Sequence, residues 1–266
     1  MAGPNPIGTK LPPTGWGVSD WNATPWGPPS PNFSASVYFP PTLEINTQDE
    51  RYGVVLLTET QGNTLLRELS LQSSYEEIWG YLPSSFTWVE LGIKALPIHV
   101  QKQTDGSSSV DIRISYDETR LLSLMQNDPS IVLYHIHPIQ SVHQLIQADA
   151  AKNTTTTWDA LALPSGPDLV QVVHYTRIFA QKFPNRPLRF RVVSMWGVTE
   201  FSLTAKGMSE FFGQDEQSLL FPFQAVMELS VQPEEKNSKT SPVERIQNAC
   251  KKINALGEFS LTFTPL

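Results

Sequence analysis

The most chemically suggestive part of the chain is His135-Ile136-His137-Pro138, which directly follows the short apolar run Ile131 to Tyr134. The apolar run predicts a buried strand, and alternate side chains of a strand point to the same face of its sheet. The imidazoles of His135 and His137 can therefore converge on one cation. Because neutral imidazole is a good ligand for Zn²⁺, the pair predicts part of a zinc site at the end of this strand.

A candidate third ligand lies in the segment Ser165-Gly166-Pro167-Asp168, which opens a predicted helix that runs to about Lys182. Ser-x-x-Asp is a common helix start, in which the serine caps the helix and the acidic side chain favours the helix dipole. The carboxylate of Asp168 is also a suitable third ligand for Zn²⁺. On these residues alone, the capping role and the metal-binding role both remain open.

The combination of a strand ending in His-x-His-Pro and a helix start of the form Pro-Ser-x-x-Asp resembles the JAMM (MPN-type) zinc metalloprotease family, whose members include ubiquitin isopeptidases. The resemblance implies that His135, His137 and Asp168 bind Zn²⁺ and that Ser165 helps to hold the reacting oxygen. It also implies that an upstream glutamate acts as general base. It covers roughly residues 45–205 and implies an α+β fold of the MPN/JAB type, in which helices flank a mixed β-sheet with the layering of cytidine deaminases.

The spacing departs from the family pattern in one place. Between His137 and Asp168 stand 30 residues, 138–167, whereas the family usually has a much shorter segment there. An insertion beside the metal is therefore expected. Asp149 follows His137 after 11 residues and fits the usual spacing better, but it has no serine three positions before it. Asp168 is the preferred ligand and Asp149 the alternative.

Glu90 is the first candidate for the general base that the resemblance implies. It lies near the start of a predicted strand, Trp88 to Gln101, which follows a predicted helix over residues 74–82. This is where the family places its catalytic glutamate.

Two further glutamates precede a glycine by three residues, as the family's catalytic glutamate does. Glu50 precedes Gly53 and an apolar run, but it would leave a helix and a hairpin unexplained. Glu77 precedes Gly80, but it also completes a capping-box pattern that starts at Ser74, so a structural role in the predicted helix is expected. Both are alternatives to Glu90.

The other predicted elements place these residues in an α/β domain. A hairpin is expected over residues 52–72, with strands at 52–60 and 64–72 joined by Gln61-Gly62-Asn63. Later in the chain, the periodicity predicts helices over residues 117–126, 165–182, 206–229 and 243–255, and strands over residues 110–115, 188–194, 198–204 and 259–263.

Composition excludes several classes of protein. The chain has 266 residues, a formal net charge of −7 and one cysteine, Cys250. A single cysteine excludes an internal disulfide and a cysteine-built metal cluster, and the acidic balance argues against a nucleic-acid-binding role. No apolar run reaches the length of a membrane span, and the N-terminus lacks a signal-peptide pattern, so an intracellular, cytoplasmic protein without membrane association is expected.

Three regions are expected along the chain. Residues 1–43 contain ten of the 22 prolines and three of the seven tryptophans, which predicts an extended arm that could anchor a partner protein through its indoles. Residues 45–205 form the JAMM-like domain. Residues 206–266 form a helical extension with a polar linker at 232–241.

The resemblance predicts a zinc-dependent protease that hydrolyses isopeptide or peptide bonds in a protein or peptide substrate, with ubiquitin-like conjugates as one candidate class. The alternative is a protein with the same fold that has no activity and serves assembly.

Overall fold

A computed structural model describes the chain over residues 54–73, 76–93, 99–102, 108–111, 115–140, 155–231 and 240–266. Four sequence predictions concern residues outside these ranges. They are the N-terminal arm at 1–43, Glu50, Asp149 and most of the linker at 232–241.

The described residues form ten strands and seven helices. The strands are β1 (Val54–Leu56), β2 (Glu77–Leu82), β3 (Thr87–Ile93), β4 (His99–Lys102), β5 (Ser108–Asp111), β6 (Ser115–Tyr116), β7 (Val132–Ile136), β8 (Arg189–Ser194), β9 (Gly197–Leu203) and β10 (Phe259–Pro265). The helices are α1 (Glu59–Gln72), α2 (Glu118–Asn127), α3 (Thr155–Ala160), α4 (Gly166–Lys182), α5 (Ala205–Phe211), α6 (Glu216–Val231) and α7 (Pro242–Asn254).

Eight strands form one mixed sheet in the order β1-β3-β2-β7-β8-β9-β10, with β6 paired to β3. Strands β7 and β8 run parallel, and the other neighbours in this sheet are antiparallel. A parallel pair needs a long crossover, and here the crossover contains α3 and α4. Strands β4 and β5 pair separately. The predicted α+β class is confirmed at this level.

Helices cover both faces of the large sheet. On one face, leucines of α1 join a core that contains Trp79, Trp88 and Tyr134. On the other face, apolar side chains of α2, α4, α6 and α7 form a second core with Leu133 of β7. Because alternate residues of β7 enter different cores, Leu133 and His135 share the face that α4 covers.

The predicted hairpin at residues 52–72 is wrong, because α1 occupies most of this segment. Thr58 caps the helix: its Oγ1 accepts from the Gln61 backbone N–H at 3.4 Å, while Gln61 Oε1 accepts from the Thr58 N–H at 3.0 Å. Gly62, interpreted as a turn residue, lies inside the helix against an indole. A Cβ at Gly62 would come within 2.0 Å of Trp88 Cζ2, so the glycine permits close packing of the helix on the sheet.

The predicted helix at residues 74–82 is also wrong, because residues 77–82 form β2. The residues from Glu77 to Tyr81 are all buried, since β2 lies between β3 and β7 with helices on both sides. A strand buried on both faces shows no alternation of apolar and polar residues. Its apolar side chains matched a helical spacing only by coincidence, and the correction changes the setting of Glu77.

Most of the later predictions are confirmed. The helices α2, α4 and α7 and the strands β3, β7, β8, β9 and β10 form close to the predicted positions. The predicted helical region 206–229 is divided into two helices, α5 and α6. Strand β10, near the end of the chain, completes the edge of the same sheet by pairing with β9.

No helix within the described ranges combines the length and the apolarity that crossing a lipid bilayer would require.

Candidate metal centre

Strand β7 positions the two histidines. His135 lies within the strand, and His137 follows its last residue and extends the pairing, because its backbone N–H donates to the Val193 carbonyl at 2.9 Å. The side chain of His135 is 14% exposed and that of His137 only 3%. The Nε2 atoms of the two imidazoles lie 2.9 Å apart, as the i, i+2 spacing on one face predicts.

The N-terminus of α4 positions Asp168. Ser165 is the N-cap, and its hydroxyl and backbone N–H both donate to Asp168 Oδ2, at 2.7 and 2.6 Å. The Asp168 N–H in turn lies 3.3 Å from Ser165 Oγ. This reciprocal capping box locks the aspartate at the first turn of the helix. The predicted capping role is therefore present, and it also fixes where the carboxylate points.

The carboxylate of Asp168 faces both imidazoles. Its Oδ1 lies 3.4 Å from His135 Nε2, and its Oδ2 lies 3.5 Å from His137 Nε2. One ligand atom from each of these three residues lies within 4.8 Å of the others. The structure thus brings together all three residues of the preferred ligand set, across 33 positions of sequence from His135 to Asp168.

Electrostatics keep Asp168 available as an anion. Burial by itself would raise the pKa of its carboxyl, but the charge and hydrogen bonds of His135 and His137 outweigh burial and hold the pKa well below its usual range. A low pKa means that the ionised carboxylate, the form that binds a cation, is present at neutral pH.

The proton of His137 is directed away from the cluster. Its Nδ1 lies 3.0 Å from the carbonyl oxygen of Leu161. A carbonyl only accepts hydrogen bonds, so Nδ1 carries the proton when the ring is neutral, and the Nε2 lone pair is then available for a cation. A backbone carbonyl behind the ring is a typical second partner of a metal-binding histidine.

Glu77 lies at the level of the histidines on the neighbouring strand. Ile78 of β2 is the cross-strand partner of His135, and Trp79 is that of Tyr134. One step further along the same antiparallel register, Glu77 comes level with Ile136, between His135 and His137. The Glu77 side chain is buried, and its Oε2 accepts from Trp79 Nε1 at 3.2 Å.

The pKa of the Glu77 carboxyl is also unusually high. Burial and, after it, the charge of Glu90 raise its pKa to about 8, while the hydrogen bond from Trp79 opposes the rise. A buried acid with a strongly raised pKa, here one strand away from a cluster of possible ligands, is a frequent feature of functional sites.

Glu90, the first candidate from the sequence, is buried on β3, where it is the cross-strand partner of Trp79. It is therefore one strand further from β7 than Glu77 is. The strand that follows the first described helix is β2, which begins at Glu77, and not β3. The positional argument that favoured Glu90 depended on the incorrect helix at residues 74–82.

Three supporting contacts were not foreseen from the sequence. They are the Leu161 carbonyl behind His137, the indole of Trp79 on Glu77, and the hydroxyl of Thr199, which donates to the Ala162 carbonyl beside Leu161. A backbone carbonyl has no residue-specific pattern, so no sequence signal identifies Leu161. The two-residue spacing of Glu77 and Trp79 would have indicated their contact only if residues 77–79 had been assigned to a strand.

The donor set fits Zn²⁺ better than Ca²⁺ or Mg²⁺. Two imidazole nitrogens and one carboxylate oxygen form a familiar catalytic zinc set, whereas Ca²⁺ and Mg²⁺ favour oxygen ligands. Three protein ligands leave one tetrahedral position for water or substrate. The ionised carboxylate and the fixed His137 tautomer meet the protonation requirements of such a site.

Comparison of the chain with protein-family models, with curated proteins and with solved structures finds no match in any of the three.

Proposed function

We propose that this protein is a zinc-dependent hydrolase of isopeptide or peptide bonds, with ubiquitin-like conjugates as a candidate substrate class. One observation carries the proposal: His135, His137 and Asp168 present ligand atoms within 4.8 Å of one another, and the buried Glu77 lies on the neighbouring strand.

The order of elements supports a JAMM/MPN-like fold as the finer assignment. Strand β1, helix α1 and the glutamate-bearing β2 precede the histidine strand β7, and the aspartate-bearing α4 and the hairpin β8-β9 follow it. The resemblance to the JAMM family implies the same order, in which a strand, a helix and a glutamate-bearing strand precede the histidine strand, and a helix and a final hairpin follow it. The segment between His137 and Asp168 contains α3 and the turn that supports His137, so part of the extra length has a role at the site.

We assign the general base to Glu77. Both features that pointed to the family's glutamate now fall on this residue: it begins the strand after the first described helix, and Glu77-Ile-Trp-Gly80 has the Glu-x-x-Gly pattern. Glu90 met only the positional criterion, and it did so through a helix that does not form. Glu90 instead supplies charge next to Glu77.

The residues of the chain divide the chemistry between them. His135, His137 and Asp168 would hold the ion, and His137 is kept in the required tautomer by the Leu161 carbonyl. Bound zinc would supply Lewis acidity, which activates water and polarises the scissile carbonyl. Glu77 would accept the proton of the attacking water and deliver it to the leaving amine. The Ser165 hydroxyl, which donates its one proton to Asp168 Oδ2 in this structure, would turn that proton to the oxygen that becomes negative as the carbonyl is attacked.

The test combines metal analysis with hydrolysis. The purified chain is expected to hold one zinc ion and to cleave at least one member of a panel of isopeptide-linked ubiquitin-like conjugates and peptides. His137→Ala should lose both properties. His174→Ala is the matched control, because this histidine also lies on the α4 side of the molecule but bonds to Glu216 at 2.9 Å, outside the cluster.

A folded protein that binds no zinc would contradict the proposal. A protein that binds zinc stoichiometrically but cleaves nothing in the panel would favour the alternative, a JAMM-like scaffold that serves assembly.

A further inference from the structure

The turn that follows α3 is held by side chains from several parts of the fold. The Trp158 carbonyl accepts from Trp196 Nε1 at 3.1 Å, and the Ala162 carbonyl accepts from Thr199 Oγ1. Between them, the Leu161 carbonyl faces His137 Nδ1 at 3.0 Å. The residues from Leu161 to Leu163 are almost fully buried. The position of this turn therefore decides how the His137 imidazole is oriented.

Helix α7 reaches the same turn through an ion pair. Arg245 Nε donates to Asp159 Oδ2 at 2.5 Å, and Arg245 Nη2 donates to Asp159 Oδ1 at 3.0 Å. The Asp159 side chain is 4% exposed and that of Arg245 is 22% exposed. Nη1 of Arg245 donates to the Thr240 carbonyl just before the helix. Such a two-pronged pair fixes both the distance and the orientation of its partners.

Asp159 is part of the turn itself and not a neighbour of it. Its carbonyl accepts from the Ala162 N–H at 3.0 Å, and the Ala160 carbonyl accepts from the Leu163 N–H at 3.1 Å. A shift of Asp159 would therefore carry the Leu161 peptide with it. A buried carboxylate without a partner is strongly destabilising. Loss of Arg245 would therefore favour a shift of Asp159 towards water.

We propose that the Asp159–Arg245 ion pair is a positioning device for His137, through which helix α7 contributes to metal affinity without touching the metal site. The proposal rests on the proposed function, in which His137 is a ligand. Partners behind a ligating histidine typically account for about 10-fold to 100-fold in metal affinity. We expect loss of the ion pair to act at the lower end of this range, since it acts through one peptide unit.

The test uses the full chain with three variants. Arg245→Met removes the positive charge at similar side-chain length, and Asp159→Asn removes the negative charge while keeping the side-chain shape. The double variant has no unpaired buried charge, so it serves as the test if either single variant fails to fold. Arg177→Met is the matched control, because Arg177 bonds to Glu216 at 3.0 Å on the same layer of helices but contacts nothing in the turn.

Two quantities are measured for each folded variant. The first is the dissociation constant for Zn²⁺, which should rise about 10-fold in the Asp159 and Arg245 variants and stay unchanged in Arg177→Met. The second is the nitrogen-bound proton of His137 Nδ1 in the metal-free protein, observed by NMR. Its protection from exchange with water should fall in the same variants, and Arg245→Lys should restore part of both.

The outcomes separate this proposal from the proposed function. If the folded variants bind zinc as tightly as the original chain and keep the protected His137 proton, the positioning role is overturned while the zinc site stands. If the original chain binds no zinc, the proposed function fails, and loss of the His137 signal in the variants would still support the positioning role.

Discussion

Ile78 and His135 are direct cross-strand partners in the antiparallel pairing of β2 and β7, and this pairing brings the adjacent Glu77 level with the two histidines. Glu77 and His135 therefore lie on neighbouring strands of one sheet, and Asp168 lies in the first turn of helix α4, so neither carboxyl is on a flexible loop. Groups held on rigid strands keep their relative positions within the narrow limits that proton transfer needs. The predictions below depend on this arrangement.

Glu77→Gln should abolish most of the hydrolysis and leave zinc binding intact. A general base typically contributes about 10²-fold to 10⁴-fold in rate, and glutamine preserves the size of the side chain and its acceptor for the Trp79 indole. The measurement is kcat on the best substrate of the panel, together with zinc stoichiometry. Glu90→Gln is the comparison variant and should keep most of its turnover; a greater loss in Glu90→Gln than in Glu77→Gln would return the assignment to Glu90.

The stability of the metal-free protein should depend on pH through Glu77. Its pKa in the folded chain is raised to about 8 by burial and then by the charge of Glu90, whereas an unfolded glutamate titrates near about 4.3. At a pH between these two pKa values, folding is therefore accompanied by the uptake of a proton at Glu77. The stabilisation is complete below the unfolded pKa and is lost as the pH rises through about 8.

Glu77→Gln has no such proton to lose. Its free energy of unfolding should exceed that of the original chain by an amount on the order of a few kcal/mol at pH 9, and the excess should shrink steadily towards pH 5. Urea unfolding of both metal-free proteins at pH 5, 7 and 9 measures the difference. A difference that is constant over this range would show that Glu77 ionises normally in the folded state.

Ser165→Ala should affect both stability and catalysis. Loss of the N-cap should lower the free energy of unfolding by about 1 kcal/mol, and loss of an oxyanion donor should lower kcat by about 10²-fold to 10³-fold. Thr58→Ala removes the corresponding cap of α1, away from the cluster, and should cost similar stability with kcat unchanged. Equal kcat values for the two variants would restrict Ser165 to its structural role.

Zinc should stabilise the native chain by mass action. At a free concentration of about 100 times the dissociation constant, a ligand that binds only the folded state adds about 2.7 kcal/mol. Thermal unfolding with zinc and with a chelator should therefore give clearly separated midpoints. In Asp168→Asn the separation should be much smaller, and an undiminished separation would mean that the stabilising zinc binds elsewhere.

Gly62→Ala tests the packing of α1 on the sheet. The new Cβ would meet the Trp88 ring at 2.0 Å, and overpacking of this kind typically costs about 1 to 3 kcal/mol. Gly213→Ala is the control, because a Cβ there has no neighbour within 4 Å and should change stability by less than about 0.5 kcal/mol. Urea unfolding of both variants measures the contrast, and equal stabilities would contradict the close approach of Gly62 to Trp88.

The parts of the ligand cluster were accessible from the sequence because each depends on local rules, and the family resemblance joined them into one ligand set. The spacing of His135 and His137 follows from the two-residue period of a strand, and the Ser165 to Asp168 pattern follows from the chemistry of a helix start. Such rules involve residues a few positions apart, so they do not require knowledge of the rest of the chain.

The place of Glu77 was decided only by the tertiary structure. Residues 77–81 are buried on both faces between β3 and β7, so they lack the alternation that identifies a strand, and their apolar spacing agreed with a helix. Gly62 was misassigned for a related reason. It is needed because the helix backbone packs closely against the indole of Trp88, and Trp88 is 26 residues away in sequence. Local patterns and the family resemblance indicated which residues could bind a metal; long-range packing decided which glutamate lies on the strand next to the histidines and which carbonyl holds His137 in place.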